Sequence, residues 1–224
     1  MRRPGRRSRA AGPLPARAVE PTGFAPVVEL ARALADAPLR WAFAGGWALD
    51  LVAGAPSRPH GDVDVTVAAD DGPALLDELA GRGAHVAWVG AGTPARSAPR
   101  RPGASDPAGV HQAHARWGEL SIDVVLEPWT DAAWRFRRDP RIERSLDRAL
   151  RRVAVGGDDV AVLAPEVVLL LKARRSDAPP LPKDEEDLAR ALPALDAEAR
   201  AWLDAALPAD HPWRGRLGRR RSGP

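Results

Sequence analysis

The chain has no cysteine, no tyrosine, one methionine and three phenylalanines in 224 residues. Without cysteine it can form neither disulfides nor thiolate metal centres, which accords with a reducing cytoplasm, the expected location. No apolar stretch approaches the ~18 residues a membrane span requires, so no membrane partner is expected. The opening MRRPGRRSRAAGPLPARA is rich in Arg but lacks the apolar segment of a signal peptide. With no Tyr and few Phe, the aromatic side chains are chiefly the eight Trp. Lysine is nearly absent too, with Lys172 and Lys183 alone against 31 Arg.

The formal charge of +3 conceals two different regions. Residues 1–19 hold six Arg and residues 214–224 hold five, with no acid in either. Removing those 11 from the 33 basic residues leaves 22 against 30 acidic, so the body carries about −8. The sequence pI near 10.3 therefore belongs to the tails. Such tails touch nucleic acid or anionic surfaces only nonspecifically, and the body shows no basic face of the kind duplex-binding proteins present.

Residues 1–20 read as a disordered basic tail, dominated by Pro, Gly and Arg. Helical patterns are expected at Val27–Ala37, Trp47–Ala53, Pro73–Gly81, Pro165–Arg175, Lys183–Leu192 and Asp196–Leu207. Strands are expected at Trp41–Ala44, Asp62–Ala68, His85–Val89, Val110–Trp117 and Leu120–Leu126. A hairpin is expected from Arg151–Val155 and Val160–Leu163 around GGDD. Residues 91–109 read as a mobile Pro-, Gly- and Arg-rich loop. Strands mixed with helices, then helices alone, predict an α+β fold: a small mixed β-sheet core with flanking helices, followed by a helical C-terminal part.

Within that outline, GDVDVTV raises a physical question. Alternation along a strand puts Asp62 and Asp64 on one face and Val63 and Val65 on the other. Two like charges side by side are costly unless a cation lies between them. Hard divalent cations such as Mg²⁺ take oxygen ligands, and a two-metal site about 3.5–4 Å across clamps both oxygens of a phosphoryl displacement. The plain alternative is an exposed acidic strand face. Aspartate is a poor strand former, however, and a third acid, Asp123, recurs in the apolar run SIDVVLEP. Just upstream, Gly45-Gly46 join a strand to a helix, where free backbone N–H groups attract phosphate. A tight turn is the other reading of that pair.

GGWALD, RPHGDVDV and IDVVLEP together resemble the nucleotidyltransferase superfamily typified by DNA polymerase beta. The match is nearer to its aminoglycoside 2''-adenylyltransferase-like branch, which pairs GGWALD with a His-x-Asp-x-Asp strand, here His60–Asp64. A downstream segment like PEVVLLLKARR…KDEEDL, here Pro165–Leu188, is also similar. The resemblance covers about residues 25–213. It implies a nucleotidyltransferase catalytic core at 21–130, a C-terminal hairpin and helical part at 131–216, and a basic tail at 217–224. It further implies Mg²⁺-dependent transfer of a nucleoside monophosphate, AMP from ATP in the first instance, to a hydroxyl of a small molecule, with an aminoglycoside-type acceptor foremost. In this reading Asp62, Asp64 and Asp123 are catalytic carboxylates and metal ligands, with Asp123 either a ligand or the base that takes the hydroxyl proton. Gly45 and Gly46 cradle the triphosphate and Trp47 walls the nucleotide pocket. Two departures stand out: the 91–109 loop is long for this branch, and aromatic residues other than Trp are few. A toxin-like enzyme acting on protein or RNA, or a non-catalytic nucleotide-binding domain, are the other readings of the same fold. The three intact acids favour an enzyme. Sequence leaves the acceptor, the preferred NTP and the oligomeric state open.

The two lysines carry an independent argument. Where Arg replaces Lys nearly everywhere, a surviving Lys marks a place for a compact point charge. Lys172 falls near the apolar face of its helix, so it either meets a phosphate or site carboxylate or snorkels to solvent. Lys183 and Asp187 stand four apart on a helix, a surface pair in the simplest reading, and the resemblance adds them, with Asp184, either as nucleotide contacts or as supports of the residues that make those contacts. His60 shares the face of Asp62 if the strand extends back, placed either to orient a carboxylate or to touch phosphate. His111 and His114, three apart, would point to opposite faces of a strand, so that one faces the site.

Overall fold

The computed structural model of the chain describes residues 17–19, 23–89, 109–173 and 180–218. The rest of both basic tails and most of the expected 91–109 loop lie outside the described residues. The elements follow in order as β1 (Arg17–Val19), α1 (Ala25–Ala33), β2 (Trp41–Phe43), α2 (Gly45–Ala53), β3 (Val63–Ala68), α3 (Gly72–Gly81) and β4 (His85–Trp88). Then come β5 (Gln112–Trp117), β6 (Leu120–Glu127), β7 (Ala133–Arg135), β8 (Glu143–Ser145), α4 (Leu146–Ala149), β9 (Leu150–Val155) and β10 (Asp158–Leu163). Four helices close the chain: α5 (Pro165–Ala173), α6 (Pro182–Ala191), α7 (Ala197–Ala206) and α8 (Arg214–Leu217).

Eight strands form one mixed sheet in the order β1-β9-β10-β2-β3-β6-β5-β4, and β7 and β8 pair separately. The fold is therefore the α+β arrangement that the sequence patterning predicts. The expected hairpin, β9–β10, joins the central sheet through a parallel pairing of β10 with β2. Arg17–Val19, which composition assigns to the disordered tail, instead add an edge strand parallel to β9. Backbone ladder bonds of that kind do not depend on side-chain patterning, so composition gives no sign of them.

At the centre, β3 and β6 run parallel with Asp64 opposite Asp123, Thr66 opposite Val125 and Ala68 opposite Glu127. The period of two then sorts the residues. Val63, Val65 and Val67, with Ile122, Val124 and Leu126, are buried in the core. The other face carries Asp64, Thr66, Asp123, Val125 and Glu127. At Gly72, the first residue of α3, an added Cβ would lie 2.5 Å from Leu126 Cδ2, so that helix packs closely against β6.

The helices begin and end where local chemistry directs. α5 opens on Pro165, whose missing N–H would be unpaired there in any residue. α2 ends at Gly54 in the left-handed conformation with φ 84°. Asp196 caps α7 by accepting from the Ala199 N–H at 2.7 Å.

A buried ion cluster fixes the β7–β8 pair against the C-terminal helices. Arg144 of β8 donates to both oxygens of Glu198 on α7, at 2.9 and 2.8 Å, and also to Glu166 on α5. Its guanidinium carbon lies 4.8 Å from the Trp202 ring centroid. Glu166 is wholly buried, so removing its partner strands a charge, a loss of about 3–5 kcal/mol. We expect Arg144→Leu to lower stability by about that amount in chemical denaturation, and Glu166→Leu on that background to recover much of the loss. An Arg144→Leu change within about 0.5 kcal/mol of wild type would show that the cluster contributes little.

Candidate active site

The site is assembled where β2 turns into α2 beside the open face of β3. Gly45, the first residue of α2, has φ +58°, and a Cβ there would stand 1.7 Å from Asp64 Oδ2. Only glycine lets the carboxylate lie against the start of the helix. Gly45→Ala is accordingly expected to cost at least about 1–3 kcal/mol from backbone strain and to displace Asp64, and thermal melting together with nucleotide affinity would register both effects. Unchanged values would refute the close approach. The Gly45-Gly46 turn is thus more than a bend, since Gly46 also gives its side-chain space to His60: a Cβ there would stand 2.3 Å from the ring.

Behind the aspartates lies a second layer. The Trp47 indole N–H donates to the Asp62 carbonyl at 3.0 Å, and its ring packs against His60 at a tilt of 40° with centroids 4.4 Å apart. His60 Nε2 is 2.8 Å from Asp50 Oδ2. Burial of Asp50 would raise its carboxyl, but hydrogen bonds from His60 and Ser57 hold it below the ordinary range. From Asp50 the contacts run through Arg190 (3.2 Å) to Asp187 (3.0 Å) and on to Lys172 Nζ (2.9 Å). Lys172 also approaches Asp184 at 3.4 Å.

The open face of the sheet, with α5 and the start of α6, encloses a cavity of about 330 Å³. Asp62, Asp64, Asp123, Gly45, Lys172 and Lys183 all border it, so six expected site residues meet in one place. Gly46, Trp47 and Asp187 do not border it among the described residues. Trp47 is buried behind the strand rather than walling the pocket, and Asp187 is tied to Lys172, Arg190 and Arg58 instead of pairing with Lys183. Lys172 does not snorkel, because its ammonium turns back onto the two buried carboxylates of α6.

Charge crowding in the cavity is substantial. Burial, then repulsion from Asp62 and Asp123, lifts the Asp64 carboxyl to about 6 against the pull of Lys172 and Lys183. Asp123 is also raised, first by burial and then by Asp62. The opposing influences are the Gln112 amide, which donates to both carboxylate oxygens at 2.9 Å, and His114, whose Nε2 lies 3.6 Å away. Burial lifts Glu127 to about 7, opposed by the Arg137 N–H that it accepts at 3.3 Å and by the charges of Arg137 and Arg138.

The donor set is all oxygen and shares negative charge, which suits Mg²⁺. No three His, Asp or Glu side chains among the described residues close into a ready-made metal cage. Mg²⁺ is ordinarily held by one or two carboxylates with substrate phosphates completing the shell, so Asp62 and Asp64 with a bound triphosphate fit it better than a three-carboxylate cage.

Sequence reasoning missed Gln112, Thr66, Glu127, Arg137 and Arg138, all of which border the cavity. Glu127 had a signal, being an acid two positions along the same face from Val125 and four from Asp123. Both histidines of the HQAH segment reach the site. His111 precedes β5 and borders the cavity, while His114 lies on β5 opposite Asp123. The expectation of opposite faces fails because the strand begins after His111.

Known proteins share this fold. Residues 26–104 match the family model described as aminoglycoside-2''-adenylyltransferase. The solution structure of the antibiotic-resistance factor ANT(2'')-Ia shares the fold at TM-score 0.58 and 21% identity, covering 83% of this chain and 90% of that one. The crystal structure of ANT(2'')-Ia in complex with adenylyl-2''-tobramycin gives TM-score 0.59 at 19% identity, covering 83% and 97%. The lincomycin-bound lincosamide antibiotic adenylyltransferase LnuA gives 0.51 at 12% identity, covering 74% and 94%. Comparison with curated protein sequences found no match. Over residues 26–104 the chain is thus similar to the aminoglycoside-2''-adenylyltransferase family, and over most of its length it shares the fold of ANT(2'')-Ia.

Proposed function

We propose that this chain moves a nucleoside monophosphate, AMP from ATP in the first instance, onto a hydroxyl of a small antibiotic-like molecule, with an aminoglycoside as the leading acceptor. The observation that carries the reading is the pairing of Asp64 with Asp123 across β3 and β6, in one cavity with Gly45, Lys172 and Lys183. In the reaction the acceptor oxygen bonds to the α-phosphorus, the bond to pyrophosphate breaks, and the hydroxyl proton passes to a carboxylate. Asp123 is suited to receive it, because Gln112 fixes both its oxygens and burial raises its proton affinity. The N-terminus of α2 at Gly45 offers backbone N–H groups to the phosphates, and Lys172 and Lys183 oppose their charge. Mg²⁺, held by Asp62 and Asp64, would supply electrostatic stabilisation of the transferring phosphoryl group. His60, Trp47, Asp50 and Asp187 act behind this set as positioning residues.

The test is a panel of labelled ATP, GTP, CTP and UTP with Mg²⁺ against aminoglycosides and lincosamides, read as mass-shifted product and released pyrophosphate. Transfer by wild type and none by Asp64→Asn is the expected result. A chain that binds NTP and modifies no acceptor in the panel would count against the antibiotic reading and favour the non-catalytic domain.

A further inference from the structure

The cavity has two unlike ends. At the Asp62 end the cavity opens to solvent, and His114, beside Asp123 there, is half-exposed. Along the strands the character changes. Thr66 and Glu127 are each at most 2% exposed. They share the open face of the sheet with Val125, and Phe136, Val168 and Leu171 complete this inner recess. Thr66 lies opposite Val125, and Glu127 is the next residue on that face of β6. The Thr66 hydroxyl is buried and has no hydrogen-bond partner among the described residues. Buried polar groups are normally paired, so an orphan on a cavity wall points to a ligand that pairs with it. No part of the transfer chemistry above uses either residue.

We propose that this recess holds the nucleobase of the NTP, and that Thr66 and Glu127 read its edge. The proposal rests on the nucleotidyltransferase reading and adds which end of the cavity takes the base. A recess lined by an aromatic ring and aliphatic side chains, with a few convergent polar groups, suits a flat heterocycle. The open, polar end is left to a bulky hydroxylated acceptor. One Glu127 oxygen accepts from the Arg137 N–H, and the ionised carboxylate, with its further lone pairs, can accept from an exocyclic amine. The Thr66 hydroxyl can donate to an adjacent ring nitrogen. Adenine and cytosine present that amine and bare nitrogen together on their Watson–Crick edge. Guanine carries a protonated nitrogen at the equivalent place, and uracil lacks the amine. ATP and CTP are therefore the favoured donors.

Titration calorimetry with a non-hydrolysable ATP analogue and with inorganic triphosphate, which has no base, tests this on wild type, Thr66→Val and Glu127→Ala. Thr66→Val exchanges the hydroxyl for a methyl of the same shape and is expected to keep the wild-type melting temperature. We expect each variant to bind the ATP analogue about tenfold or more weakly, with inorganic triphosphate affinity unchanged. Wild type should bind ATP and CTP analogues more tightly than those of GTP and UTP. Unchanged ATP affinity in Thr66→Val, or an equal loss for ATP and inorganic triphosphate, would overturn the base assignment while leaving the nucleotidyltransferase reading standing. Wild type that binds neither ligand would overturn both. If Glu127→Ala fails to fold, Thr66→Val decides alone.

Discussion

Asp64→Asn is expected to abolish nucleotidyl transfer and, in the absence of divalent cations, to stabilise the folded chain at neutral pH. The catalytic loss follows from removing one of two carboxylates proposed to hold the metal. Such charge stabilisation is worth several kcal/mol, so a fall of about a thousandfold or more is expected. The stability gain follows from linkage. Asp64 ionises near 6 in the folded chain against a reference value of 3.8, so between those values the folded state binds more protons than the unfolded. Its contribution is therefore most favourable below about pH 4 and is lost as pH rises through about 6. At pH 7–8 the ionised side chain bears the whole cost, about 1–3 kcal/mol after allowance for its partial exposure. Asparagine does not titrate. Melting temperatures across pH 4–8 in a chelator should show Asn above wild type at pH 8, with the gap closing toward pH 4. A gap independent of pH, or an Asn variant less stable at pH 8, would contradict the charge crowding described for this cavity.

Lys172→Ala is expected to damage both the fold and nucleotide binding. In the folded chain Lys172 Nζ lies 2.9 Å from Asp187 and 3.4 Å from Asp184, and both carboxylates are buried. Breaking a buried pair costs about 3–5 kcal/mol. The lower end applies here, because Arg190 still reaches Asp187 at 3.0 Å and the Leu181 N–H still reaches Asp184 at 3.1 Å. Nucleotide affinity should fall about tenfold to a hundredfold, the worth of hydrogen bonds to a charged group. Lys172→Arg should restore the helix pairing but only part of the affinity, since a planar fork does not substitute for a point charge. Denaturant midpoints separate the structural loss from titrations of an NTP analogue. Near-wild-type affinity in the Ala variant would show that the ammonium serves α5 and α6 alone.

The readable parts of this molecule are those governed by short-range rules. Alternation in GDVDVTV placed two aspartates on one face, Gly45-Gly46 marked a strand-to-helix junction, and the survival of two lysines in an Arg-rich chain marked Lys172 and Lys183. Each signal lies within a few residues, or in codon-level contrast, and needs no knowledge of what packs where. Where register or packing decides, the sequence was silent or misleading. Trp47 reads as a pocket wall because it follows the glycines, yet it is buried and its indole turns to the Asp62 carbonyl instead. Asp187 reads as a partner of Lys183, but α6 presents it to Lys172 of α5 and Arg190 one turn on. Gln112 and Glu127 join the site only because β6 pairs with β3 and β5 in one register, and a slip of a single residue would turn Glu127 into the core. By itself the sequence thus determined the clustered carboxylates, the glycine turn, the two cations and the fold class. The tertiary structure decided which of these face a common cavity and which lie behind it, because side-chain direction on a helix or strand becomes a position in space only when the elements pack.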